Sequence, residues 1–197
     1  MMRLLLRTAP VATVALVAAL GCGRERGEPG AGVVDSVVPR DTALARFREG
    51  LQAPTAFSSG ADSRDELIRR FVAALERSDT TGLRAMVMNR AEFAWLYYPW
   101  VPESRPPYDL APGLMWFMVD GASTRGLSAL LTERGGHPLR FVDYHCEGER
   151  HYGANTVWGP CTIRRVQAPG DTAAELLFGP LVEHAGRFKF VSLANKL

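Results

Sequence analysis

The sequence changes its period once, at Gly135-Gly136-His137-Pro138, and that change limits the fold more than any other feature. Ahead of it, apolar residues recur at helical spacing. Leu67, Ile68, Phe71, Val72 and Leu75 form one stripe. The stripe is opened by Ser63-Arg64-Asp65-Glu66, a capping-box pattern in which Ser63 and Glu66 satisfy each other's backbone donors. Asp79 offers a cap for a second helix carrying Leu83, Met86 and Val87. A third short helix is expected over 89–97, stopping at Pro99. Residues 99–112 hold five prolines and read as loop. Residues 114–134 read as helix in two pieces divided near Gly121, with Ser123 as the second cap and Gly135-Gly136 as the stop.

Behind the change, residues 139–146, 156–167, 172–183 and 187–194 are rich in β-branched and aromatic side chains and read as strands. Gly170-Asp171 and Ala185-Gly186 stand where hairpin turns are needed, and Gly179-Pro180 predicts a bend. Helices followed by an antiparallel meander give an α+β fold. The expectation is one cone-like domain over 63–197, with helices packed on a curved antiparallel sheet of about four strands.

The N-terminus has a different character. Arg3 and Arg7 precede an apolar run over 11–20 broken only by Thr13, and Ala19-Leu20-Gly21-Cys22 follows. The run is too short, and too promptly ended by polar residues, to span a bilayer. This layout resembles a bacterial lipoprotein signal peptide, in which small residues precede a cysteine that is diacylated and becomes the first residue. One departure is that the usual leucine three before the cysteine stands two before it here, as Leu20. The resemblance implies a signal peptide over 1–21, a lipid anchor on Cys22 and a place in the cell envelope. Gly23, in place of the aspartate that marks inner-membrane retention in some bacteria, favours the outer membrane. Residues 22–62 then read as a Gly-, Pro- and charge-rich tether. It carries one short helix, capped by Asp41, with Leu44, Phe47 and Leu51 on one face.

Cleavage before Cys22 would remove Arg3 and Arg7 and no acid, taking the formal charge from +2 to zero. A neutral chain with scattered arginines has no electrostatic footprint for nucleic acid. With Cys22 assigned to lipid, Cys146 and Cys161 remain as a pair, and in an oxidising compartment such pairs usually bond. Opposed on adjacent strands, they set a register in which paired residue numbers sum to 307. That register places Asp143 against Arg164 and Tyr144 against Ile163, and makes 147–160 a long excursion. A metal site with His145 and His151 is the competing reading, but the spacings fit zinc ligation poorly.

The helix, Asp79 cap and short second helix of 67–87, with the C-terminal hairpin AELLFGPLVEHAGRFKFVSL, resemble the nuclear transport factor 2-like superfamily, including its SnoaL-type and ketosteroid-isomerase-type members. The resemblance covers roughly 63–197 as an order of elements. It implies a cone whose open end holds a small molecule or a partner surface. The 99–136 insert exceeds the minimal plan of that family, and a cystatin-like sheet around one helix is the nearest rival.

Candidate chemistry is thin. Asp143 and His145 alternate along one strand and share a face, so Asp143 could orient His145 as a general base. Set against this, both could lie on the solvent face, paired with arginines. Trp95, Tyr98 and Trp116 are the candidates for a pocket wall, although aromatics at helical spacing are commonly core. No phosphate loop, nucleophile elbow or zinc-protease helix is present, and no cofactor is implied. The leading expectation is a non-catalytic binding or interaction module anchored to the membrane through Cys22, taking a small apolar ligand or an envelope protein. An enzyme acting on a small apolar molecule through Asp143 and His145, and a structural envelope protein, are the alternatives.

Overall fold

A computed structural model of the chain describes residues 38–197; the signal segment and Cys22 lie outside the described residues. The described residues form one compact unit, so residues 38–62, expected as tether, belong to the folded body. Helix α1 (Arg40–Arg48) buries Leu44 and sets Phe47 edge-on to Phe93, ring centres 6.0 Å apart. Phe57 is buried, and Ala61 exchanges backbone hydrogen bonds with Phe188. Apolar side chains, sparse as they are there, were enough to dock the segment. Asp41 does not cap α1; Pro39 holds that position and Asp41 lies in the first turn, where its charge suits the helix N-terminus. Leu51 falls beyond the helix.

Helix α2 (Arg64–Glu76) begins as expected, with Ser63 Oγ accepting from Glu66 N at 3.1 Å. Glu66 reaches one residue further back than a capping box requires, accepting from Asp62 N at 2.7 Å. Asp79 caps α3 (Thr80–Ala85) by accepting from Gly82 N at 2.8 Å. Helix α4 (Arg90–Glu92) opens on a reciprocal Asn89–Glu92 box and continues as a π-helical turn, Phe93–Tyr97. Helix α5 (Pro112–Arg134) is one unbroken element, correcting the two expected pieces. Ser123 is no cap: its hydroxyl donates to Val119 O and accepts from Leu193 N. The helix stays whole because its middle is clasped by the C-terminal residues. A Cβ on Gly126 would stand 1.8 Å from Leu193 O, so only glycine permits that approach.

Seven strands follow: β1 (Phe141–Cys146), β2 (Glu149–Tyr152), β3 (Asn155–Trp158), β4 (Cys161–Ala168), β5 (Asp171–Glu175), β6 (Leu181–His184) and β7 (Arg187–Phe190). They form two antiparallel sheets, β1-β4-β5 and β2-β3-β6-β7. Register carries across the break between them. Pairs β1–β4 and β2–β3 both join residues whose numbers sum to 307, while β4–β5 and β3–β6 run at 338 and 339. The described residues therefore contain four long antiparallel strands, three of them bent at the joint. Gly159-Pro160 and Gly179-Pro180 lie at these bends, where proline has no N–H to give a ladder. The expected long excursion at 147–160 is instead a hairpin in the same register, turning at Gly153-Ala154. Trp100 lies so closely over Gly153 that a Cβ there would meet its ring at 2.1 Å.

Between sheet and helices the interior is filled. Phe71, Phe178 and Phe190 form a triangle with ring centres 4.6–5.4 Å apart, joined by Leu67, Ile68, Leu75, Leu83, Leu130, Ile163 and Leu181, none more than 1% exposed. The other face of β3-β6-β7 carries Val157, Val182 and Lys189, with the two valines packed among the aromatics of α4 and its π turn. The four-stranded end is thus covered on both sides.

Candidate functional site

Glu92, the last residue of α4, meets Lys189 of β7 across that second face. Lys189 Nζ lies 3.1 and 3.0 Å from the two carboxylate oxygens, and both side chains are at most 2% exposed. The carboxylate also accepts from Ser58 N at 2.6 Å, Ser58 Oγ at 2.7 Å and Asn89 N at 2.9 Å. Lys189 adds a bond to Val87 O at 3.3 Å. Burial pushes the Lys189 ammonium below its ordinary pKa, and the Glu92 charge opposes that push. With every acceptor position engaged, the pair joins α4, β7 and the segment before α2.

Beside this pair opens a cleft of about 230 Å³, between residues 84–90 and one face of α5. Val87, Met88, Trp116, Val119, Leu127 and Leu193 supply its apolar surface. Arg84, Asn89, Arg90, Asp120 and Ser123 supply the polar contacts, with Arg84, Asn89 and Arg90 exposed at the mouth. A few polar groups around an apolar floor suit a small amphipathic molecule or a side chain of a partner.

Of the three expected wall residues, only Trp116 lines this cleft, its ring 5.3 Å from Phe93. Tyr98 is core: it is 1% exposed and its hydroxyl donates to Leu110 O at 2.8 Å, tying down the proline-rich loop. Trp95 is half-buried under the Arg48 guanidinium, 3.8 Å from the ring centre. The proline-rich loop therefore closes over packed aromatics, and the opening lies on the α3–α5 side.

Cys146 and Cys161 are bonded, with Cα atoms 3.9 Å apart, in the register expected. Asp143 and His145 both lie exposed on the outer face of the three-stranded sheet. Asp143 is engaged by Arg164, whose Nε donates at 2.9 Å, and that bond holds its carboxyl below the usual range. It therefore orients an arginine on the neighbouring strand and not His145. His151 pairs with Glu149 at 3.4 Å, and the described residues contain no group of three His, Cys, Asp or Glu placed to hold a metal.

Glu175 forms a second anionic node, between Arg165 at 2.6 Å and Arg134 at 3.1 Å. The Arg165 hydrogen bond is the main reason its carboxyl titrates below the ordinary value. A carboxyl depressed on folding stabilises fully above its unfolded pKa of about 4.3 and loses that contribution as pH falls through the folded value. Glu175→Gln is therefore expected to cost about 1.5–3 kcal/mol at neutral pH and to flatten the acid-side loss of stability. Urea titrations from neutral to acid pH check this; parallel curves for the two proteins would show that the carboxylate carries none of it.

Compared with protein-family models, curated proteins and solved structures, the chain matches none. Sequence reasoning missed the cleft and the Glu92–Lys189 pair. The signals that point to the pair are Asn89-Arg90-Ala91-Glu92, which has the residues of a capping box, and Lys189, a charge set between Phe188 and Phe190. Their meeting depends on how α4 lies over β7, which neither local pattern encodes.

Proposed function

We propose that this chain is a non-catalytic interaction module of a bacterial cell envelope, lipid-anchored through Cys22 and of the nuclear transport factor 2-like kind. The observation that carries this reading is the filled interior. Where a cone would hold a ligand, Phe71, Phe178 and Phe190 pack against one another. Recognition then falls to the surface cleft beside Trp116, whose apolar floor and arginine-lined mouth suit an amphipathic ligand or a partner's acidic-apolar segment. The family reading draws on the order of helices, the Asp79 cap and the C-terminal hairpin.

The test is photo-crosslinking in the native envelope from a probe replacing Arg90, with mass analysis of the adduct and of Cys22. A discrete adduct that Trp116→Ala removes and Asp143→Asn leaves intact is the expected result. Turnover of a small molecule abolished by Asp143→Asn or His145→Ala in folded protein would assign the chain to the enzyme reading instead.

A further inference from the structure

The first half of α5 is apolar around most of its circumference, yet it is buried on one side only. Pro112 and Met115 face the core, and Trp116, Val119 and Asp120 line the cleft. On the opposite side Leu114, Phe117 and Met118 are 52%, 74% and 53% exposed. These positions lie at i, i+3 and i+4, so they form one stripe. From Pro112 to Thr124 the sole charge is Asp120, on the cleft side, and the next charge along the bare stripe is Arg125. Tyr108, 63% exposed, stands just before the helix in the loop that delivers it. An apolar face carrying phenylalanine and methionine, with tyrosine and arginine at its borders, has the composition of a helix lying in a membrane interface.

The path of the chain says which surface this face meets. The described body begins against the same loop: Arg40 donates to Pro99 O at 3.2 Å and to Ser104 Oγ at 3.4 Å, and its guanidinium lies 5.7 Å over the Tyr98 ring. Tyr98 in turn donates to Leu110 O, two residues before α5. At its other end α1 brings Phe47 within 4.0 Å of the Cβ position of Gly113. The chain therefore joins the body beside the start of α5. Sixteen residue steps separate Cys22 from Val38, a span of at most about 58 Å if fully extended. Resting on the anchor reading above, we infer that the Leu114–Phe117–Met118 face of α5 docks on the lipid bilayer that holds Cys22. The anchor supplies most of the affinity and the face fixes orientation, leaving the Trp116 cleft, on the opposite side of the helix, open to the aqueous phase.

A single added cysteine tests this, since Cys146 and Cys161 are bonded to each other and, on the anchor reading, lipid occupies the Cys22 thiol. Met118→Cys in the full chain is labelled with a nitroxide. The protein is placed in vesicles of phosphatidylethanolamine and phosphatidylglycerol, and accessibility to oxygen, which enters the bilayer, is compared with that to a water-soluble nickel chelate. A label on Thr172→Cys, exposed on β5, is the control. Docking predicts a higher oxygen-to-nickel ratio at 118 than at 172. Equal ratios would overturn it, as would a label at 118 shielded from both quenchers, which marks a protein interface. Mass analysis of Cys22 on the same sample separates the two proposals. With the lipid present, equal ratios refute the docking and spare the anchor. With the lipid absent, the anchor reading fails and the docking fails with it, because the docking takes most of its affinity from that anchor.

Discussion

Lys189→Met is expected to cost the fold about 3–5 kcal/mol, because it strands a buried carboxylate whose principal countercharge is gone. For a domain of this size that is a fall of roughly 6–20 °C in Tm. The surroundings of Glu92 give the number its sign and its control. Two backbone N–H groups and the Ser58 hydroxyl still donate to the carboxylate after the lysine is removed, so its hydrogen bonds remain but its countercharge does not. Glu92→Gln keeps an acceptor for Ser58 and Asn89 while removing the charge. The double variant Lys189→Met with Glu92→Gln should therefore be more stable than Lys189→Met alone. Urea unfolding of the wild type, both single variants and the double variant closes the cycle. A Lys189→Met loss under about 1 kcal/mol, or a double variant no better than that single variant, would show that the pair is not coupled as the geometry indicates.

Replacing both Cys146 and Cys161 by alanine should cost about 3 kcal/mol, the chain-entropy estimate for a loop of this length. The bond closes a separation of 15 residues. Its position argues for the full value. It stands at the joint where β1 passes to β2 and β3 to β4, next to Gly148, Gly159 and Pro160, where the ladder is interrupted. Cross-strand contacts below the joint, such as Asp143 with Arg164, are surface pairs contributing only about 0.2–1 kcal/mol each. The urea midpoint of the double alanine variant, set beside that of the wild type with and without a reductant, reads the effect. A variant within about 1 kcal/mol of the oxidised wild type would mean that the hairpin holds its own joint and that the loop-closure account fails here.

How far the sequence could be read depends on how local each feature is. The caps at Ser63 and Asp79, the stripe of α2, the Ala185-Gly186 turn and the Cys146–Cys161 register all follow from residues close in sequence or from a single pairing rule. The strands read as four segments, and only one bend within them shows: Gly179-Pro180 reads as a bend, while the equivalent Gly159-Pro160 lies inside a segment that reads as unbroken strand. The 38–62 segment reads as tether because its composition is polar, and of its apolar side chains only Leu44, Phe57 and Ala61 become buried. Their burial against α5, the π turn, β6 and β7 is a tertiary fact. The site was least legible of all. Tyr98, Trp95 and Trp116 are nearly equivalent as sequence, and the rotation of the π turn against α5 decides that one lines a cleft while another is sealed.

The last strand reaches back to nearly everything that precedes it. Phe188 pairs with Ala61, Lys189 with Glu92, Phe190 with Met86 and Met88, and Leu193 closes on Ser123 and Gly126. During synthesis from the N-terminus, none of these partners can be satisfied until residues 188–193 have left the ribosome, so this long-range closure follows the making of everything it closes on. The contacts that β7 closes stay open until then. Under the envelope reading proposed above, that order would leave the chain free to thread a narrow channel before it folds.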